Sequence, residues 1–236
     1  MEVGEVRLEN MTRVEAWERI TSGDVKMAII PTGSLEQHLT HLPMVHDIRS
    51  AVMIAEEAAR RVYPAAIVTV PLNAGISEHH MEHRFGAITL KPGTFHAVVW
   101  DAVDSLVRHG IENILILNGH GGNIAPMNGC INQFRRYFGK NIHFVSYWDF
   151  VPKALADEVL ETKAVPGHAQ EFETSMALHM FPDDVRRDAQ ADSEDEGVRV
   201  STAEKAVPLY DAILEGLVDY VRRMIDGTNE AKLTGL

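Results

Sequence analysis

The chain of 236 residues has one cysteine, Cys130, so no disulfide can form within it. That usage fits a reducing compartment. Basic residues are also scarce: 22 Lys and Arg stand against 34 Asp and Glu, a formal charge of −12. Non-specific nucleic-acid binding needs a cationic face that displaces counterions, and docking on anionic lipid needs the same sign. Neither partner is expected. An anionic substrate stays allowed, because bound cations can invert the charge of a pocket. No stretch approaches the ~18 apolar residues of a membrane helix. The opening MEVGEVRLENMTRVEAWERI is acidic, without the apolar centre of a signal peptide. Internal repeats and low-complexity tracts are absent, and no linker separates two cores. The expectation is one cytoplasmic domain spanning 1–236.

What is present is an alternation of elements. Val25–Pro31 reads as a buried strand that stops at Thr32-Gly33. Asp47 then opens a helical stretch to Tyr63, with Ile48, Val52, Ala55 and Ala59 at helical spacing. Ala66–Leu72 is a second strand. Gly93–His109 is a helix with Gly110 as its stop. Asn113–Leu117 is a third strand, followed by a helix to about Phe138 and a fourth strand over His143–Tyr147. Such an order predicts an α/β fold, three layers with a mostly parallel central sheet. Residues 182–200 are acidic and poor in apolar side chains, which reads as a solvated, partly disordered connection. Thr202–Ile225 is the closing helix.

Ligands of open parallel sheets bind outside the carboxyl ends of the strands. Here the first strand ends in GSLEQHLTHLPMVHD (33–47) and the third in NGHGGN (118–123). Glu36, His38 and Asp47 in one loop, with His120 on another strand end, form a mixed nitrogen and oxygen set. It suits Zn, Mn, Fe or Co better than Ca or Mg. Taken singly, Glu-x-His is an ordinary solvated loop and Gly-His-Gly-Gly a turn or a phosphate nest. Together they leave metal site and turn evenly balanced, and spacing alone goes no further.

GSLEQHLTHLPMVHD, NGHGGN and HAQEFETS (168–175), in this order, resemble the creatininase family of metal amidohydrolases. The likeness runs from about Pro31 to Ser175. It implies a dinuclear centre: Glu36 and His120 on one ion, His38 on the other, Asp47 bridging, Glu173 completing the second. It implies two divalent transition metals (Zn, Mn or Fe) and a metal-activated water that attacks a carbonyl. His168 matches the family's His-Ala-Gly histidine and is assigned proton transfer to the leaving group. Glu173 is counted with it as catalytic. Ser34 and Asn118 read as supports of the metal loops. No Gly-x-Ser-x-Gly elbow occurs, and Cys130 has no evident His partner. His109, His143 and His179 read as ordinary surface or packing histidines.

Departures from the family pattern carry information. Leu39-Thr40 replaces the usual Gly-Pro, and Gln170 replaces a Gly. Gly121-Gly122 stands where creatininase proper carries Tyr-Glu, whose Glu binds metal. Creatinine is therefore not the expected substrate, and the ligand role passes to Glu173. In the loop Glu78–Ala87, three His, two Glu and one Arg suit either a polar substrate or plain solvation. Glu78, His80 and His83, with Gly121, are the substrate-binding candidates. The resemblance implies hydrolysis of a cyclic amide or formamide C–N bond in a small polar metabolite. Cleavage of a C–C bond in a cyclic polyhydroxy diketone is the alternative, and a non-catalytic metal-binding module a third. A homo-oligomer, a hexamer by resemblance, is also expected. The apolar side chains of the first helix and of 202–225 look too many for one small core.

Overall fold

The computed structural model describes residues 3–82 and 85–231. Four strands, β1 (Met27–Thr32), β2 (Ala66–Val68), β3 (Asn113–Asn118) and β4 (Asn141–Ser146), form one sheet in the order β2-β1-β3-β4. Every pairing is parallel, with Met27 opposite Ala66 and Asn113, and Asn113 opposite Asn141. Parallel strands covered on both faces must be apolar throughout, and all six residues of β1 are buried.

Alternate side chains choose the layer. Ile29, Leu115 and Leu117 point into a core shared with α2 (His46–Arg61), α6 (Glu171–Met180) and α9 (Ala203–Ile225). Ala28, Ile30, Ile114 and Ile116 face α3 (Pro92–Arg108) and α4 (Ile124–Phe138). The chain leaves β1 toward β2 on one side and returns to β3 on the other. The order therefore reverses between β1 and β3, which is where a doubly wound sheet opens a crevice.

Four features differ from the sequence reading. The second strand stops at Val68 rather than Leu72, although Leu72 N–H still reaches Pro31 O at 2.9 Å. Pro71 has no N–H for a ladder bond, so the chain bows out and rejoins at one bridge to Thr32. The fourth strand begins at Asn141, two residues early, and Tyr147 already starts a 3-10 turn. Residues 182–200 are folded, with α7 (Arg187–Ala191) and α8 (Glu196–Arg199). Buried Gln190 pins them by donating to Val198 O and Ser201 O at 3.3 and 3.1 Å. The apolar side chains of α9 are used inside the chain: Ala206, Leu209, Ile213, Leu217 and Val218 are buried, and Val207 is exposed. They supply no argument for self-association.

Besides α7 and α8, three helices have no counterpart in the sequence reading. α1 (Arg13–Thr21) opens with a capping box in which Thr12 and Glu15 satisfy each other's backbone N–H. That Thr-x-x-Glu was visible in the sequence. α5 (Lys153–Val159) starts right after Pro152, a visible start signal. In α6 Glu171–Leu178 are all buried, so it shows no polar face and no amphipathic period.

Candidate metal centre

The carboxyl ends of β1 and β3 and the first turns of α2 and α6 meet around a cavity of about 430 Å³. Glu36, His38, Asp47, His79, His80, Gly119–Gly122, Pro166–His168 and Glu173 line it. Close approach makes the glycines necessary. A Cβ on Gly119 would stand 2.3 Å from Asp47 O, and one on Gly122 would stand 2.1 Å from Ile76 O and 2.5 Å from His120 Nε2. Gly121 has open space before it and fronts the cavity.

The five predicted ligands converge, each at most 4 % exposed. His38 Nε2 lies 2.9 Å from Asp47 Oδ1 and 3.8 Å from Glu173 Oε2. His120 Nδ1 lies 3.0 Å from Asp47 Oδ2 and 3.3 Å from Glu36 Oε1. Asp47 stands between the two histidines, one oxygen toward each. The far nitrogens decide the chemistry. His38 Nδ1 is 3.2 Å from Glu36 O, and His120 Nε2 is 3.0 Å from Ile76 O. A carbonyl only accepts, so these nitrogens carry the hydrogens, a tautomer assigned from the network. In their neutral state the two rings would aim lone pairs at carboxylates. That arrangement repels unless a cation lies between, and it is how metal-binding histidines are oriented. The donor set, two imidazoles and three carboxylates, fits a borderline divalent ion.

Without such an ion, protons take its place. Burial works against charge on His38, but Asp47, Glu173 and Glu36 outweigh it and raise its pKa to about 9. His120 is raised to about 10 in the same way, by Asp47 and Glu36 against burial. Burial together with Asp47 and Glu36 raises Glu173 to about 8, with His38 opposing. Asp47 is held below the usual carboxylate range because both histidines overcome its burial.

Ser77 donates to Glu36 Oε2 at 2.5 Å and is itself hydrogen-bonded to Ser34. Asn118 donates to His120 O at 2.8 Å and to Ser146 Oγ at 3.0 Å. Both act as supports of the metal loops. Ser77 was missed, because nothing local marks it; it reaches Glu36 across 41 positions.

His168 lies on the cavity wall with its side chain one-third exposed, Nδ1 3.8 Å from Glu36 Oε1. Burial, with His38 and His80 adding to it, lowers its pKa to about 4. Gln37, also missed, fixes its ring. Leu39 N–H donates to Gln37 Oε1 at 3.0 Å, so the amide nitrogen faces His168 Nε2 at 2.7 Å and His80 Nδ1 at 3.1 Å. An amide nitrogen only donates. Both rings therefore present their N–H toward Glu36, where His80 Nε2 is 3.5 Å from Oε1.

Among the substrate-binding candidates, His80 is buried and stacks on His168 at 4.4 Å. Glu78 is exposed and does not line the cavity. It opens a 3-10 turn, in which each step rotates the side chain by roughly 120°. His79 lines the cavity in its stead. His83 lies outside the described residues. His143 keeps a packing role, hydrogen-bonded to Tyr220 at the other end of the sheet. His41 ties its loop to α6 through Thr174 Oγ1 at 2.8 Å.

Comparison with known proteins gives the family and the fold. The profile of the creatininase family, described as creatinine amidohydrolase, matches residues 9–221. The chain is 28 % identical over 197 residues to a creatinine amidohydrolase of Pseudomonas putida, covering 77 % of this chain and 74 % of that protein. It is 30 % identical over 168 residues to a mycofactocin precursor peptide peptidase of Mycolicibacterium smegmatis, covering 70 % and 62 %. A 3-dehydro-scyllo-inosose hydrolase of Thermotoga maritima is 26 % identical over 201 residues, covering 81 % and 61 %. The chain thus spans less than two thirds of the latter two. Among solved structures, a creatininase mutant of Type II superposes with a TM-score of 0.82 at 25 % identity, covering 94 % of this chain and 99 % of that one. A creatininase described as Mn superposes at 0.80, also 25 % identical with the same coverage.

Proposed function

The chain belongs to the creatininase family of hydrolases, and from that premise we propose that it hydrolyses a carbonyl compound of small polar type at a two-metal centre. Glu36 and His120 hold one ion, His38 and Glu173 the other, and Asp47 both. One observation carries this reading: two buried imidazoles, each with one ring nitrogen on a backbone carbonyl, turn the other toward three buried carboxylates. When bound, divalent ions supply Lewis-acid polarisation of the carbonyl and a water ionised near neutral pH. A volume of about 430 Å³ suits a small molecule. A chain that only stored metal would have no need of His79, His80 and His168 around an open cavity.

The bond broken is a C–N bond of a cyclic amide or formamide in the first reading. Gly122 leaves no acidic side chain beside His120, and Glu173, reaching in from α6, fills that role. This separates the site from creatinine cleavage. The second reading, C–C cleavage in a cyclic diketone, is favoured by the state of His168. A neutral Nδ1–H stabilises a departing enolate by hydrogen bonding alone. A departing amine must take the proton that the attacking water releases, and His168 can carry it only as an imidazolium, which burial and the Gln37 donor oppose.

Metal analysis and a screen of cyclic amides, formamides and inososes test the proposal. Turnover of an amide or formamide supports the first reading, and turnover of an inosose alone the second. Fully loaded protein inert to all three classes defeats both. With an amide, His168→Ala lowers kcat and kcat/KM alike, by about 10²–10⁴-fold, and leaves metal content intact. Loss of metal in that variant would make His168 a ligand. A single transition metal per chain would defeat the dinuclear reading.

A further inference from the structure

His46, the first residue of α2, is fully buried and precedes Asp47. Neither of its ring nitrogens has a hydrogen-bond partner among the described residues. Its ring stands 4.9 Å from that of His38 and meets Phe181 edge-on at 5.6 Å. A packing histidine normally hides its polar atoms in hydrogen bonds, as both nitrogens of His143 do here. His38, His46, Asp47 and Glu173 each offer one ligand atom, and these four atoms lie within 4.8 Å of one another. Four ligands at about 2.0–2.2 Å from one zinc-like ion would stand roughly 3.3–3.6 Å apart, so the cluster needs only a modest contraction.

We infer that His46 is a fourth protein ligand of the ion held by His38, Asp47 and Glu173, which makes that position a closed four-coordinate site. This deepens the two-metal reading above and rests on it. The two positions then differ in kind. Two imidazoles and two carboxylates would then fill four positions of one ion, the ligand number of a structural site, with His46 behind and His38, Asp47 and Glu173 on the cavity wall. The other has Glu36, His120 and the shared Asp47. It faces the cavity, His79, His80 and His168, and keeps coordination open for water and substrate. With both ions bound, the first position would fix Asp47, and the second would offer the substrate its free coordination. Sequence reading passed over His46 because a histidine at the start of a helix carries no motif.

The full-length chain is stripped of metal and titrated with Zn²⁺ against a chromophoric chelator. His46→Gln and His46→Leu are compared with wild type and with His38→Ala. Leucine fills the space beside Phe181, so a merely packing role tolerates it. Expected is a loss of at least about 100-fold in affinity for the tighter ion in both His46 variants, with the weaker ion unaffected. The Co²⁺-loaded wild type shows the intense visible bands of four-coordination, and both variants lose them. Wild-type affinity and an unchanged cobalt spectrum in His46→Leu overturn the inference. If His38→Ala also keeps every ion, the two-metal reading itself falls. Long-range ¹H–¹⁵N spectra of wild type decide the matter even where variants do not fold. One nitrogen of His46 shifts on zinc addition, and two unchanged nitrogens overturn the proposal.

Discussion

Glu171 and Glu173 sit two residues apart in the first turn of α6, both buried, and their surroundings are opposite. Glu171 receives Lys205 Nζ at 2.5 Å and the N–H groups of Thr162 and Glu161 at 2.8 and 3.1 Å. These partners overcome its burial and lower its pKa. Glu173 receives the N–H of Ala169 at 2.6 Å, and its nearest cationic neighbour is His38 at 3.8 Å. Burial raises its pKa to about 8. One carboxylate has been completed by the fold, and the other waits for a cation from outside. Two steps of a helix are roughly 200° apart, so one turn serves both architecture and chemistry.

The largest expected effects break that contrast from each side. Asp47→Ala removes the carboxylate shared by both histidines. It should lose metal and at least about 10³-fold in activity, since several kcal/mol of transition-state stabilisation goes with the ions. Glu171→Ala should keep metal content and cost about 3 kcal/mol of stability by stranding Lys205 and two N–H groups. Metal analysis and chemical denaturation separate the two. A Glu171→Ala chain that loses metal at unchanged stability, or an active Asp47→Ala chain, would erase the distinction.

A smaller effect concerns pH. His38 and His120 are raised to about 9 and 10, and Glu173 to about 8. Each is more protonated folded than unfolded. The stability the histidines give the metal-free chain is complete below about pH 6.5 and fades as pH rises through 9–10. The contribution of Glu173 begins to fade above about pH 4.5 and is gone above 8. Bound cations displace these protons, so the metal-loaded chain escapes the loss. The gap in melting temperature between loaded and chelated protein should widen from pH 6.5 to 9. A saturating ion at about 100 times its Kd contributes about 2.7 kcal/mol. A gap that narrows over that range would refute the assignment of protonated ligands.

How legible was this in advance? The parallel α/β arrangement and the strand ends carrying Glu36, His38 and His120 followed from apolar runs broken by Gly-rich loops. Asp47 followed from sharing one loop with Glu36 and His38. Glu173 was reachable only through the family resemblance, because α6 is buried all round and shows no period. Ser77, Gln37 and His46 act through contacts that exist only once distant segments meet. Gln37 even lies inside a quoted motif, yet its role depends on His168, 131 positions away. Residues 182–200 misled because composition records few apolar side chains, whereas Gln190 orders that segment through backbone carbonyls.

The smallest prediction takes the same contrast into the backbone of the site. Leu39, where the family pattern carries Gly, has φ 54°. This left-handed conformation costs a side-chain-bearing residue roughly 1–2 kcal/mol. The loop holds it because Leu39 N–H fixes the Gln37 amide, which in turn orients His80 and His168. Leu39→Gly removes the steric cost and keeps that N–H. The more flexible unfolded chain returns about 0.5–1 kcal/mol of it. Leu39 is 43 % exposed, so little burial is lost. The net gain should be about 0.5–1 kcal/mol, a rise of about 2 °C in melting temperature for a chain of this length. Leu39→Ala is the control, because it trims the side chain and retains the Cβ that strains the turn. Equal melting temperatures for the two variants would show that Leu39 is not strained. A rise for Gly alone, with metal content unchanged, would show strain stored beside the metal ligands and not in them.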